Sequence, residues 1–304
     1  MASNLEQQEI RRNWLDLPSD VTANILNRIG IFDILENAQK VCTAWYKICK
    51  DPALWRVLNM NDLWNSHFSL YTSYEKIDMF KQAMDRSQGQ LVDITLVYHI
   101  NARLFPYVAD RSSQLRRLEL VSGIYTGCLT KDALVKFPLL EELNLYWIQI
   151  SIEEIETVGR YCPMLKTLKV NQKVPRVWMT DSTTTDEGRS NAIAMAIGEN
   201  LLELRHLELI GNAMTNIGLK MILDNCHCLE ILDLRACYNI DLKGDLGKKC
   251  SEQIKNLKLP NDSLVVFPYF NEMASGLVGL VDDYEYILYV DDDFEEFPDY
   301  CRSD

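Results

Sequence analysis

The chain has 304 residues, 47% of them hydrophobic and 25% charged, an ordinary globular balance with room for one large domain or two modest ones. No apolar run approaches the ~20 residues that span a bilayer, and the first twelve residues are polar, so neither a membrane span nor a secretory leader is expected. The formal charge is -13, but Asp282 to Asp304 alone carries -9, and this acidity argues against nucleic acid as a partner, because phosphate neutralisation needs clustered Lys and Arg.

Residues 1–13 read as a disordered lead. From Trp14 to Trp55 apolar residues recur at helical spacing in Val21, Ile25 and Ile29, then in Leu35, Val41 and Trp45, which predicts three short helices. Pro18 opens the first. Asp33 followed by Glu36 reads as an aspartate capping box for the second, and Asp51-Pro52 closes the third. A unit of about forty residues buries too little apolar surface to stand alone, so its spare faces must dock on something.

The ordered set Leu17-Pro18, Ile25-Leu26, Ile29, Asp33, Leu35, Val41-Cys42, Trp45, Asp51-Pro52 and Leu54-Trp55 resembles the F-box in sequence and spacing. That resemblance implies an F-box at 14–56, which in this family binds the Skp adaptor of cullin-RING ubiquitin ligases. The residues it implicates in adaptor binding are Leu17, Pro18, Ile25, Leu26, Ile29, Leu35, Val41 and Trp45.

Residues 57–90 read as a helical linker, with Ile77, Phe80 and Met84 on one face of an amphipathic helix that packs against the modules on both sides. The phrase AMDRSQGQLVDITL within and after it resembles the linker of plant F-box proteins that carry leucine-rich repeats.

From Leu91 the template L-x-x-L-x-L recurs, at Leu91/Ile94/Leu96, Leu115/Leu118/Leu120, Leu140/Leu143/Leu145, Leu165/Leu168/Val170, Leu204/Leu207/Leu209, Leu229/Leu232/Leu234 and Ile254/Leu257/Leu259. First positions advance by 24, 25, 25, 39, 25 and 25 residues, the period of a leucine-rich repeat. In each unit a short strand sends alternate side chains inward and about 15 residues return as a helix. Ser151 to Glu154 is a capping box, and Thr130 and Thr215 are N-cap candidates. No unit buries its own leucines, so the fold class expected is α/β: the three-helix F-box followed by a solenoid of about seven repeats over 91–270, with parallel strands and return helices. Asn212 and Cys237 sit where such repeats bond the turn backbone.

The long step holds an inserted loop near 171–190, whose polar run Thr180 to Asn191 has the composition of a flexible excursion. Residues 271–304 read as a C-terminal cap and acidic tail, with Tyr284 to Val290 expected to cover the last repeat. Nine cysteines, an odd number without a framework, read as reduced thiols.

No catalytic constellation is present: there is no phosphate loop, nucleophile elbow or His-Glu-x-x-His. Cys226-His227-Cys228 lacks a second pair at ligand spacing and Asp291 to Asp293 lacks the calcium-loop glycine, so no metal or other cofactor is expected. The chain offers a surface instead. Outward strand positions form rows, one running Asp93, Arg117, Glu142, Thr167, His206, Ile231, Asn256, the next Thr95, Glu119, Asn144, Lys169, Glu208, Asp233, Lys258. A third continues Val97, Val121, Tyr146, Asn171, Ile210, Arg235, Pro260. Candidate substrate contacts are Arg117, Glu142, Tyr146, Lys169, His206, Ile210, Ile231 and Arg235, with Tyr146, Ile210 and Ile231 as anchors. Arg117 between Asp93 and Glu142, and Asp233 beside Lys258, are placed to pair among themselves.

Both modules together resemble plant F-box/leucine-rich-repeat proteins. The resemblance implies a non-catalytic substrate receptor of a ubiquitin ligase, in the nucleus or cytoplasm. Its partners would be the Skp adaptor, through it the cullin and RING subunits, and a protein substrate. The alternative is an interaction protein that binds Skp or another partner without promoting ubiquitination.

Overall fold

A computed structural model of the chain describes residues 14–60, 74–97, 104–121, 128–172 and 187–264. The lead at 1–13, most of the insert and the cap and tail at 271–304 lie outside them. The head contains α1 (Ser19–Leu26), α2 (Ile31–Glu36) and α3 (Thr43–Ile48), with single 3-10 turns at Trp14–Asp16, Ala38–Lys40 and Pro52–Trp55. Pro18 is the N-cap of α1, as its fixed φ and missing N–H favour. The expected capping box of α2 does not form. Its N-cap is Gly30, whose φ of 86° suits glycine, and Asp33 lies within the helix, accepting from Asn37 Nδ2 at 3.0 Å. Asp51 caps the following turn rather than ending α3, its Oδ1 accepting from Ala53 N at 2.9 Å.

Past the head come β1 (Val57–Asn59) and α4 (Tyr74–Arg86), then the alternation β2 (Asp93–Val97), α5 (Leu104–Arg111), β3 (Arg117–Val121), α6 (Lys131–Leu134), β4 (Glu142–Tyr146), α7 (Ile152–Tyr161) and β5 (Thr167–Asn171). It continues through α8 (Glu187–Asn200), β6 (His206–Glu208), α9 (Asn216–Asn225), β7 (Ile231–Asp233), α10 (Asp245–Gln253) and β8 (Asn256–Lys258). The eight strands form one parallel sheet in sequence order. The ladder pairs Asp93 with Arg117, Arg117 with Glu142, Glu142 with Thr167, Thr167 with His206, His206 with Ile231 and Ile231 with Asn256. The first row read from the 25-residue period is therefore the observed register. Ile94, Leu118, Leu143, Leu168, Leu207 and Leu232 are fully buried behind it.

β1 departs from the reading of 57–90 as helical only. It pairs with β2, Val57 opposite Asp93. Trp55, Leu58 and Met60 repeat the L-x-x-L-x-L spacing with an aromatic and a methionine in leucine places, and all three are buried. The substitution of residue types hides the unit from a leucine count. After it, α4 buries Phe80, Ala83 and Met84 and packs against α2, the Pro52–Trp55 turn and α5, so it touches both neighbours as its amphipathic spacing predicts.

The return helices begin as their capping residues direct. Ser151 Oγ accepts from Glu154 N at 3.1 Å while Glu154 Oε2 accepts from Ser151 N at 3.0 Å. The other oxygen of Glu154 takes Leu129 N at 3.1 Å, tying α7 to the preceding repeat. Thr130 and Thr215 cap α6 and α9. The polar run ending at Asn191 is not all loop: Glu187 onward is helical, and buried Asn191 Oδ1 accepts from Thr215 N at 2.9 Å and Gly218 N at 3.0 Å. At the strand exits Trp147, Gly211 and Ala236 occupy one repeat position in left-handed backbone, and each donates its N–H to the next repeat. Only the glycine does so without steric cost.

Candidate protein-docking surfaces

The first surface is the head. On α1, Thr22 and Leu26 stand four residues apart on the inward face, while Val21, Ile25 and Ile29 follow the outward one. Ile29 is 40% exposed and Val41, just past the Ala38–Lys40 turn, 62%. Pro18 is exposed, and Leu17, Ile25 and Trp45 are half-buried. Two of the eight residues expected to meet an adaptor are corrected. Leu26 is fully buried and Leu35 is 4% exposed, so both belong to the core beneath the candidate contact residues. Sequence reasoning left out Trp14 and Tyr46, both exposed; Trp14 meets Trp45 edge to face, ring centroids 6.3 Å apart. Their signal was adjacency: each flanks the apolar helical pattern without belonging to it.

The second surface is the strand face. Its first row is reachable: Arg117, Glu142, His206 and Ile231 are half-buried, as is Lys169 in the second row. Tyr146, Ile210 and Arg235 are not, at 2%, 1% and 4% exposure. Three local reasons apply. Tyr146 stands in register between Val121 and Asn171, both fully buried. Ile210 has left the ladder, and its N–H donates to Asn171 Oδ1 at 3.0 Å. Arg235 folds onto Asp233, donating from Nη2 to Oδ2 at 2.7 Å and from Nε to Oδ1 at 2.9 Å. Of the three anchors read from the rows, Ile231 keeps access.

Charges on this face pair with one another. Arg117 reaches Asp93 at 2.8 Å and Glu142 at 3.3 Å and also pairs with Glu119. Burial works against its charge, but those three carboxylates outweigh burial and raise its pKa. Glu208 accepts from Asn171 Nδ2 at 3.2 Å and lies 3.0 Å from His206 Nε2 and 3.4 Å from Lys169 Nζ. Burial would raise its pKa, yet the His206 hydrogen bond, the Lys169 charge and the Asn171 amide bring it down to about 2. Lys258 Nζ meets Asp233 at 3.0 Å. Three carboxylates surround one guanidinium at β2–β4, whereas Asp233 has two cations, Arg235 and Lys258, at β7–β8. The face therefore grades from acidic to basic along the solenoid.

Nothing in the described residues gathers metal ligands. No group of three or more His, Cys, Asp or Glu could hold an ion there, and no described helix is long and apolar enough to cross a membrane. Cys226 is buried, its pKa pushed up to about 11 by burial first and Cys228 second, and Sγ donates to Leu201 O at 3.6 Å. It serves as a packed thiol. Cys237 does the repeat-closing work expected of it, donating to Leu209 O at 2.9 Å, while Asn212 Oδ1 accepts from Met214 N within its own turn.

Comparison with known proteins bears on both surfaces. The F-box-like family matches residues 14–61. An Arabidopsis thaliana F-box/LRR-repeat protein numbered 23 is 46% identical over 83% of this chain and 54% of its own length, so the chain spans about half of that relative. F-box protein SKIP19 of the same plant is 41% identical over 94% of this chain and 89% of its own. The F-box/LRR-repeat protein numbered 22, also from Arabidopsis thaliana, is 39% identical over 94% and 84%. With an F-box head, a parallel solenoid of leucine-rich units and two of these relatives matched along more than four fifths of their length, the chain belongs to the plant F-box/leucine-rich-repeat family.

Proposed function

We propose that the chain is the substrate-recognition subunit of a Skp-cullin-F-box ubiquitin ligase, its head docking the Skp adaptor and its strand face holding a protein substrate. The observation that carries this reading is the exposure of apolar Pro18, Ile29 and Val41, with Leu17, Ile25 and Trp45 half-buried, within the F-box-like match. Exposed apolar area on a small helical module is the usual energetic centre of a protein interface. The chain itself carries no chemistry in this scheme. Its contribution is proximity, which raises the effective concentration of a target lysine near the ubiquitin-charged subunits, in the nucleus or cytoplasm. On the repeats, the first row, half-buried from Asp93 to Ile231 and exposed at Asn256, with Ile231 as its apolar member, is the substrate side.

The reading is tested by co-purification with a Skp adaptor, wild type beside the double variant Leu17→Ala/Pro18→Ala. Adaptor capture by the wild type and its loss in the variant is the expected result. A folded wild-type chain that captures no adaptor refutes it.

A further inference from the structure

Two consecutive residues in the last turn of α4 are held by different modules. The Arg86 guanidinium donates from Nη1 to the Cys49 carbonyl at 3.1 Å and from Nη2 to Gln39 Oε1 at 2.8 Å, with its centre 5.3 Å above the Trp55 ring. Trp55 Nε1 donates to the same Cys49 carbonyl at 3.0 Å. Every one of these partners belongs to the head. Asp85 Oδ1 instead accepts from Tyr107 Oη and Arg111 Nε of α5, each at 2.7 Å, and the Arg111 guanidinium lies 3.6 Å over the Tyr107 ring. α5 is the return helix between β2 and β3, inside the solenoid.

Helical neighbours point about 100° apart, so one turn of α4 reaches sideways into both modules at once. The two grips differ in strength. Asp85 and Arg111 are exposed, and such pairs contribute at most about 1 kcal/mol. Arg86 is half-buried, and its planar fork serves two fixed acceptors while stacking on an indole, a task that a lysine ammonium cannot reproduce.

We propose that Asp85 and Arg86 are a positioning pair that fixes the orientation of the F-box to the first repeats, so that a protein docked on one module stands at a set place relative to a protein docked on the other. The pairing of grips on one turn carries this: Phe80, Ala83 and Met84 seat α4 between the modules, and the directional bonds of Arg86 and Asp85 add a fixed angle to that seating. It rests on the proposed function only for the identity of the two docked proteins.

The test is a distance distribution between nitroxides on unnatural side chains at exposed Lys50 and Lys243, read by double electron-electron resonance on the full chain without an adaptor. Wild type should give one narrow distribution. Arg86→Met, which keeps the aliphatic stem and removes the fork, should widen it by about half or more, because the apolar packing of α4 and the β1–β2 ladder remain while the directional bonds to the head are lost. Arg86→Lys should also widen it. Asp85→Ala, at an exposed site that folding does not need, should widen it to a smaller extent. Wild-type width in both Arg86→Met and Asp85→Ala overturns the proposal, and if Arg86→Met does not fold, the Asp85→Ala result alone decides. Failure of adaptor co-purification would count against the proposed function and leave this pair untouched.

Discussion

The head and the repeats treat their apolar side chains in opposite ways. In the head, α3 has no fully buried residue, and Val41 and Ile29 face solvent. In the repeats the strand leucines from Leu118 to Leu232 are completely enclosed. The difference follows from construction. A three-helix module has too few residues to close a core around every apolar group, whereas each repeat lends a neighbour the surface it cannot cover itself. What the head offers a partner is therefore exposed apolar area, and what the strand face offers is chiefly an ordered set of charges.

The contrast breaks most sharply under Leu143→Ala. Leu143 stands between Leu118 and Leu168 in the ladder, and truncation there should cost about 2–5 kcal/mol in urea unfolding. A cost below about 1 kcal/mol would mean that the repeats are not stacked as described.

Acid sharpens the comparison next, because the ion pairs of the strand face have no counterpart among the contact residues of the head. The Glu208 carboxyl is held at about 2, below its ordinary 4.5. A depressed carboxyl stabilises the fold above its unfolded pKa and loses that contribution as pH falls toward its folded value, so the window runs from 4.5 down to about 2. The gap corresponds to roughly 3 kcal/mol. Glu208→Gln lacks this titration, so the stability difference between wild type and variant should shrink across that window in melts at successive pH values. A difference that stays constant would remove Glu208 as the linked group.

The smallest expected effect on stability is in the head. Val41→Ala should change unfolding free energy by no more than about 0.5 kcal/mol, yet weaken adaptor binding by about fivefold or more in calorimetry. A stability loss approaching that of Leu143→Ala would place Val41 in a core and dissolve the contrast.

Most of the solenoid was legible because period and register are the same quantity: steps of 24 and 25 residues put Asp93, Arg117 and Glu142 side by side, and the ladder does so. Capping chemistry was equally local, and Ser151 and Glu154 bond as their spacing requires. What escaped depends on contacts between distant residues. Asn191 looked like loop composition until its bonds to Thr215 and Gly218, more than twenty residues on, explained its burial. The same holds for the candidate site. Tyr146 and Arg235 point outward by alternation, but their ladder neighbours and Asp233 decide whether they remain in reach. In the head, apolar spacing alone did not separate Leu26 and Leu35 from their exposed neighbours, because these short helices carry apolar residues on both their inward and their outward faces.

β1 has a practical consequence for anyone building hybrid proteins from these parts. Val57 to Asn59 is a rung of the repeat sheet, while Trp55, two residues earlier, is bonded within the head. A splice placed after Arg56 keeps the new head but risks misplacing that rung, and one placed at Leu91, where the leucine count begins, deletes it. The second hybrid would present the bare edge of β2, an open template for strand pairing between molecules, and should self-associate however well its transplanted head folds.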